Sequence, residues 1–132
     1  MSGVAPSTCL QRVRSLVDRG VIREFRAEID LGALNRGVQG LVPVQIRPLQ
    51  RRVIDGFPAA AAEMSEVLSV FIVAGNEDFL IHVAVPDLDH LHSFLVDRLS
   101  ERREVISFRS SVIFQHVHNP VLEPFPEVER PM

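Results

Sequence analysis

The segment Val67–Pro86 most constrains the fold of this chain, because it holds two short apolar runs separated by four turn-favouring residues. The runs are Val67–Ala74 and Phe79–Val85, and Gly75-Asn76-Glu77-Asp78 lies between them. Each run is rich in Val, Ile, Leu and Phe and is too short for a typical helix, which predicts two buried strands joined by a hairpin. Gly75 can adopt the positive φ that a tight turn needs.

Two further strand patterns flank this hairpin. Val38–Arg47 is predicted as the first strand, and Pro43 within it indicates an edge position or a bulge, because proline cannot donate to a ladder. Val105–Val117 is predicted as a last, long strand.

Two helix patterns alternate with the strands. Leu49–Met64 is predicted as a helix, with a kink at Pro58 or a late start near Phe57. Asp87 is predicted to cap a second helix, Leu88–Ser100. The apolar stripe of that helix comprises Leu88, Leu91, Leu95 and Leu99, with Phe94 beside it.

This order of elements predicts an α+β fold of the ferredoxin-like βαββαβ type, in which two helices cover one face of a four-stranded antiparallel sheet. The other face is expected to be apolar and to bind a second copy, giving a homodimer. The strand residues expected on one side or the other are Val44, Ile46, Val70, Ile72, Ile81 and Val83.

Length and composition limit the class of protein. A chain of 132 residues suits one domain, or one domain with a fragment of another, and an apolar content of 46% allows a real core. No apolar run reaches membrane-spanning length and no basic, apolar leader opens the chain, which predicts a soluble, non-exported protein without membrane contact. The single cysteine, Cys9, excludes an internal disulfide and agrees with a cytoplasmic location.

The charge is unevenly distributed. Residues 1–26 carry five arginines against two acidic residues, whereas the whole chain has a net charge of −3. A basic head on an acidic body indicates that a polyanion would bind at the head.

The head is predicted to contain one helix. Pro6 suits a first helical turn, Ser7–Arg19 follows it, and Gly20 ends it in the usual manner. Its apolar stripe comprises Leu10, Val13, Leu16 and Val17. Val21–Phe25 and Arg26–Leu31 then alternate imperfectly, as in a short β-hairpin or wing.

The head sequence STCLQRVRSLVDRGVIREFRAEID resembles the recognition helix and wing of a winged helix-turn-helix protein, specifically of the Lrp/AsnC family of bacterial and archaeal transcription regulators. The resemblance implies that one group of residues faces the major groove of DNA and another meets phosphates. The first group is Ser7, Thr8, Gln11 and Arg12; the second is drawn from Arg14, Arg19 and Arg23. On charge alone, a solvated basic helix that packs on the body is an equal alternative.

The body resembles the effector-binding domain of the same family. The family's G-x-x-D-[YF] loop and V-P-D motif correspond to Gly75, Asp78 and Phe79, and to Val85–Asp87. The resemblance implies dimers that often assemble into tetramers or octamers, and a small effector, usually an amino acid, bound between dimers around the loop.

The residues of the loop suit this ligand. Backbone amides of Gly75, Asn76, Glu77 and Asp78 can hold a carboxylate, and a side-chain carboxylate of Glu77 or Asp78 can accept from an α-ammonium group. Ser111 could add a hydroxyl contact, as could Ser107 or Ser110. The alternative for Glu77 and Asp78 is a solvated hairpin tip.

The resemblance divides the chain into three parts: residues 1–37 as the remnant of a winged helix-turn-helix domain, residues 38–118 as the effector-binding and oligomerisation domain, and residues 119–132 as a Pro-rich acidic tail. The chain begins at the turn before the recognition helix, without the two helices that precede it in the family. We therefore expect weak DNA binding by this chain, and a tail that is disordered or loosely draped.

Other chemistries find no support in the sequence. The five histidines show no metal-ligand spacing, and no nucleophile–base pair or phosphate loop is present, so no metal, cofactor or enzymatic activity is predicted. Two hypotheses remain: a Lrp/AsnC-type regulator that senses a small effector, and a stand-alone amino-acid-binding module that does not bind DNA.

Overall fold

The computed structural model describes residues 6–127, with side chains from Thr8 onward. The chain divides into two compact units, Met1–Asp30 and Leu31–Met132. None of the helices in the described part is long and apolar enough to cross a bilayer. The last residues of the predicted tail, 128–132, lie outside the described range.

The first unit contains one helix, α1 (Pro6–Asp18). Gly20 follows it with φ 76°, and the amide of Val21 donates to the carbonyl of Leu16 at 2.9 Å. A left-handed glycine just past the helix and a bond that closes the last turn form a common helix end, so the predicted role of Gly20 is confirmed.

The predicted wing is wrong for this chain. Residues 23–30 have no strand structure, although Val21, Phe25 and Ile29 supply the alternating apolar side chains. These three side chains are exposed. A two-stranded hairpin is marginal in water without a third strand or a helix to cover its apolar face, so alternation alone does not produce a hairpin here.

The second unit is built on an antiparallel sheet. Its strands are β1 (Val38–Ile46), β2 (Val67–Ile72), β3 (Phe79–Val85), β4 (Val105–Phe108) and β5 (Ser111–Val112). The strand order is β2-β3-β1-β4, and β5 also pairs with β1. The central hairpin, β2 and β3, forms as predicted, and the strand order is that of a ferredoxin-like fold.

Two helical segments pack on one face of this sheet. They are α2 (Arg51–Ala62) and α3 (Leu88–Ser93), and α3 continues as a π-helical stretch over Phe94–Leu99. The Asp87 side chain accepts from the amide of His90 at 2.7 Å, so the predicted cap is confirmed. The helix α2 begins before Pro58 and contains it, so the predicted late start near Phe57 is wrong.

The core lies between the helices and this face of the sheet. Its fully buried side chains include Val42, Val44, Ile46, Phe57, Phe79, Ile81, Val83, Phe94 and Leu99. All six strand residues named for a dimer face therefore lie on the covered side: Val44, Ile46, Ile81 and Val83 are fully buried, and Val70 and Ile72 pair with the core residues Ile81 and Phe79. Leu88, expected on the stripe of the second helix, is 60% exposed because it occupies the first turn, away from the sheet.

The opposite face of the sheet, hereafter the open face, carries a different apolar set. Strand alternation and register place Leu41, Pro43, Phe71 and Leu80 on it, and none of these four is fully buried. The open face of the sheet is therefore apolar as predicted, but the residues that form it differ from the six named from the sequence.

The predicted single strand Val105–Val117 is wrong, because the pairing with β1 is interrupted opposite Pro43. The amide of Arg109 donates to the carbonyl of Pro43 at 3.1 Å, but Pro43 has no N–H to return a bond. The ladder stops there and resumes as β5. It ends at Ile113, whose amide donates to Gln39 at 2.8 Å, because β1 starts at Val38 and offers no partner beyond that point.

The same observations correct the position of β1. Pro43 indicated an edge position or a bulge: the edge position is wrong, because β1 lies between β3 and β4 in the centre of the sheet, whereas irregular pairing is present opposite Pro43. The missing donor is accommodated by the break between β4 and β5.

Candidate ligand-binding loop

The loop Gly75–Asp78 joins β2 to β3 at one end of the sheet. Gly75 has φ 150°, so the predicted need for a glycine at this position is confirmed. The amide of Asp78 donates to the carbonyl of Val44 at 3.0 Å, and the amide of Val73 donates to the carbonyl of Asp78 at 3.1 Å. The end of the loop is therefore held by backbone bonds to both neighbouring strands.

The carboxylate of Asp78 fastens the loop to the end of β1. Its Oδ2 atom accepts from the amide of Ile46 at 2.9 Å and from Nη1 of Arg47 at 3.2 Å. None of the hydrogen bonds within the described residues involves Oδ1, and the side chain is 24% exposed. One oxygen of Asp78 thus serves the fold, and the other can accept from a ligand.

The other two loop residues are tied to β1 and to the break between β4 and β5. Nε2 of Gln45 donates to the carbonyl of Asn76 at 2.5 Å, while its Oε1 accepts from Oγ of Ser107 at 3.0 Å. Glu77 forms an ion pair with Arg109. These contacts make a loop of defined shape instead of a free hairpin tip.

Sequence reasoning missed Gln45, Arg47 and Arg109, which come to the loop only through strand pairing. Arg47 directly follows β1, and Arg109 lies at the break opposite Pro43. Pro43 was the one sequence signal for the position of Arg109. Because proline has no N–H to donate, the residue opposite it is released from regular strand pairing.

Ser111 is not brought to the loop within one chain. It pairs with Leu41, and Leu41 lies four residues before Gln45 on the same strand. At the usual rise of a strand, that separation is about 13 Å. Of the three serines considered for this role, Ser107 lies nearest to the loop, because its hydroxyl contacts Gln45.

A cavity of about 230 Å³ lies at the opposite end of β3, lined by Arg36, Glu66, Val85 and His90 among others. The carboxylate of Glu66 is 8% exposed and accepts from Nη1 of Arg98 at 2.8 Å. Nε2 of His90 is 3.8 Å from the second oxygen of Glu66. This ion pair, buried on the side of Glu66 and exposed on the side of Arg98, holds the residue before β2 to the helical segment after β3.

His82 lies on the open face, where Oε1 of Gln39 is 2.8 Å from its Nε2 atom. Burial lowers the pKa of His82 below its usual 6.5, and the charge of His116 lowers it further. The rings of His116 and His118 are 4.1 Å apart. Among residues 6–127, no three His, Cys, Asp or Glu side chains are grouped so that they could hold a metal ion.

The residues proposed to contact DNA lie on α1 or just after it. Thr8, Gln11, Arg12, Arg14 and Arg19 are exposed, and the side chain of Ser7 is outside the described set. Helical spacing places Thr8, Gln11 and Arg12 on one face, because residues three and four apart are neighbours on a helix.

Arg14 lies on the other side of α1. It lines an apolar cavity of about 240 Å³ together with Leu10, Val13, Val17 and Phe25. The structure therefore brings three of the expected major-groove residues together and separates Arg14 from them.

Residues 39–121, which include the loop and all five strands except the first residue of β1, match the family model of the Lrp/AsnC ligand binding domain. The chain belongs to the Lrp/AsnC family. The transcriptional regulator AldR of Mycolicibacterium smegmatis is 38% identical over 117 residues, a match that covers 89% of this chain and 68% of the relative.

Two solved structures of Lrp/AsnC-like regulators extend the comparison. AldR of Mycobacterium tuberculosis is 34% identical, with a TM-score of 0.64 and coverage of 92% of this chain and 82% of the other. A transcriptional regulator from Neisseria meningitidis, solved in complex with L-Met, is 28% identical, with a TM-score of 0.73 and coverage of 88% and 75%. The fold is thus that of Lrp/AsnC regulators, and this chain spans about two thirds of the length of the M. smegmatis relative.

Proposed function

We propose that this Lrp/AsnC chain senses an amino acid through the loop Gly75–Asp78 and acts in the cytoplasm as part of a transcription regulator. The observation that carries the proposal is the fastened loop: Oδ2 of Asp78 is engaged by Ile46 and Arg47, while Oδ1 has no bond within the described residues. The L-Met complex of the N. meningitidis regulator supports an amino acid as the class of ligand.

The loop offers complementary groups for both ends of an amino acid. The backbone amides of Gly75, Asn76 and Glu77 can donate to the α-carboxylate, since successive amides in a turn form an anion-binding concavity, whereas the amide of Asp78 already donates to Val44. Oδ1 of Asp78 can accept from the α-ammonium group, and the ion pair of Glu77 with Arg109 borders the same loop. The bonds of Gln45 and Arg47 hold these groups in place before the ligand arrives, which lowers the entropic cost of binding.

Titration calorimetry across the amino acids tests this proposal. We expect at least one to bind the wild type, and Asp78→Asn to weaken that binding by about 1.5–3 kcal/mol, the range for a hydrogen bond to a charged group. Asp55→Asn is the matched control, because Asp55 is exposed on α2, and it should bind as the wild type does. Equal binding by wild type and Asp78→Asn would show that Asp78 is only a turn residue.

We propose that the chain dimerises through its open face, as the basis for any tetramer or octamer. Leu41, Pro43, Phe71 and Leu80 form an apolar surface on the side of the sheet that neither α2 nor α3 covers. Sheets that pack face to face through such residues form a core about 10 Å thick. A two-fold arrangement would place the same four residues on both sides of the interface.

We propose further that α1 contacts DNA through the face formed by Thr8, Gln11 and Arg12. Leu10 and Val17 on its other side are exposed, so the packing that would fix its orientation is incomplete within the described residues. We therefore expect weak binding of duplex DNA with little sequence preference, and a smaller salt dependence in Arg19→Ala, because Arg19 is among the residues expected to meet phosphates.

Fluorescence anisotropy over a salt series measures both quantities. Tight, sequence-specific binding by this chain would contradict the expected weakness. No binding at any salt concentration would favour the alternative, a stand-alone amino-acid-binding module.

A further inference from the structure

The cavity at the far end of β3 from the loop, hereafter the Glu66 cavity, has no part in the proposed amino-acid site. It has a volume of about 230 Å³ and opens to solvent on one side. A cavity of about 150 Å³ accommodates benzene, so this one admits a small organic molecule of roughly six to eight heavy atoms. Part of its lining is apolar and comprises Leu34, Ala84, Val85 and Pro86.

Glu66 places a buried charge in the lining of this cavity. Its side chain is 8% exposed, and Oε1 accepts from Nη1 of Arg98 at 2.8 Å and from Oγ of Ser65 at 3.1 Å. None of the hydrogen bonds within the described residues involves Oε2. A buried carboxylate oxygen without a donor costs free energy, because the water that bonded it in the unfolded chain has not been replaced. A ligand that donates to Oε2 would remove this cost.

His90 supplies a second polar atom beside Oε2 of Glu66. Its Nε2 atom is 3.8 Å from Oε2, which is too far for a direct hydrogen bond. When the imidazole carries its proton on Nδ1, Nε2 is an acceptor, and an ammonium group has three donors. One ammonium group can therefore bond to both atoms.

Arg36 fixes another part of the cavity lining. Its Nε atom donates to the carbonyl of Ala84 at 2.9 Å, and its Nη2 atom donates to the carbonyl of Ser65 at 2.8 Å. These bonds hold the turn that contains Leu34 against the end of β3 and the residues before β2. The cavity thus has a defined shape before a ligand arrives, which lowers the entropic cost of binding.

Electrostatics around the cavity favour a cation. Two guanidinium groups lie here, that of Arg36 in the lining and that of Arg98 on Glu66. They are outnumbered by the carboxylates of the lining and of residues one or two positions from it: Glu63, Glu66, Asp87 and Asp89. This excess of negative charge attracts an ammonium group and repels a further carboxylate. The cavity therefore suits an amine better than an amino acid.

We propose that the Glu66 cavity binds a short aliphatic primary amine in its protonated form. The ammonium group donates to Oε2 of Glu66 and to Nε2 of His90, and the alkyl chain contacts the apolar part of the lining. This site is separate from the loop Gly75–Asp78, whose proposed ligand carries a carboxylate as well.

Backbone amide chemical-shift mapping on the full chain tests the site with n-butylamine as the probe. We expect saturable shifts at the amides of Glu66, Val85 and His90. The neutral analogue 1-butanol should bind there about tenfold or more weakly, because hydrogen bonds between charged groups are among the stronger ones in proteins. L-norvaline, which is n-butylamine with an added α-carboxylate, should not shift these amides. An absence of saturable shifts with n-butylamine, or equal binding of either analogue at the cavity, would overturn the proposal.

Glu66→Gln tests the role of the charge. Glutamine keeps the side-chain volume and an acceptor for Arg98, and we expect the dissociation constant of n-butylamine to rise about tenfold or more. Glu101→Gln is the control, because it removes the same charge from an exposed position outside the cavity lining, and it should bind as the wild type does. Unchanged binding in Glu66→Gln would overturn the proposal. If circular dichroism shows that Glu66→Gln is unfolded, the comparison of n-butylamine with 1-butanol on the wild type decides the question.

Asp78→Asn separates the cavity from the loop. We expect it to bind n-butylamine as the wild type does, although it should lose affinity for the amino acid. A loss of n-butylamine binding in Asp78→Asn would place the amine at the loop and overturn the proposal for the cavity. Binding of n-butylamine at the cavity with no amino acid bound at the loop would leave this proposal in place and overturn the proposed function.

Discussion

A single carboxylate at Asp78 serves both the fold and the proposed binding site. Oδ2 is used by the backbone of Ile46 and the guanidinium of Arg47, two groups at the end of β1. An ionised carboxylate has about four acceptor positions, so these two bonds leave capacity for an ammonium group. A residue in this position fixes the loop shape and presents charge to a ligand at the same time.

His82 gives the protein a predictable response to acid. Because burial and His116 lower its pKa in the folded state, the unfolded chain binds the proton at a higher pH than the folded chain does. Stability therefore rises with pH between the two pKa values, and the free energy of unfolding should fall as the pH drops below about 6.5.

Urea denaturation at several pH values between 5 and 8 measures this effect. His82→Gln should flatten the decline, because glutamine keeps a polar partner for Gln39 without titrating. His92→Gln, an exposed position on α3, should retain it. A decline of the same size in His82→Gln would assign the acid response to another group.

At the scale of elements, the contact between α2 and β3 should dominate stability. The rings of Phe57 and Phe79 lie 4.9 Å apart, and both side chains are about 1% exposed. Phe57→Ala should lower the free energy of unfolding by about 3–5 kcal/mol, through lost burial and the cavity left behind.

Leu88→Ala provides the comparison for Phe57→Ala. Sequence spacing places Leu88 on the same kind of apolar stripe, but its side chain is largely exposed. Its substitution should change the free energy of unfolding by no more than about 0.5 kcal/mol in the same denaturation experiment. A large loss in Leu88→Ala would mean that the start of α3 is packed by something beyond this unit.

The elements that sequence predicted well are those with strong local patterns. The β2–β3 hairpin follows from two apolar runs around Gly75, and the start of α3 follows from Asp87. The wing and the long last strand failed for a different reason. Their apolar residues have the right local pattern, but a strand also needs a neighbouring strand, and the described chain places none beside residues 23–29 or beside the residues after Ile113.

At the scale of the whole molecule, the candidate site depends on pairings that no local pattern reveals. The loop itself is visible in sequence as Gly75–Asp78. Gln45 and Arg109, which hold the loop, are distant from it in sequence. The register of β1 with β3 brings Gln45 to the loop, and the register of β1 with β4, together with the missing donor of Pro43, brings Arg109 there. Sequence periodicity likewise indicated two apolar faces without deciding which residues the helices would cover.

The binding of an amino acid at the loop is the central claim, and backbone amide chemical-shift mapping tests it most directly. The ligand is the amino acid that calorimetry selects, titrated into the labelled wild-type chain. We predict that the largest saturable shifts fall on the amides of Gly75–Asp78, with smaller shifts at Gln45 and Arg109. Largest shifts at Glu66 and His90, around the cavity at the other end of β3, or no saturable shifts with any amino acid, would contradict it.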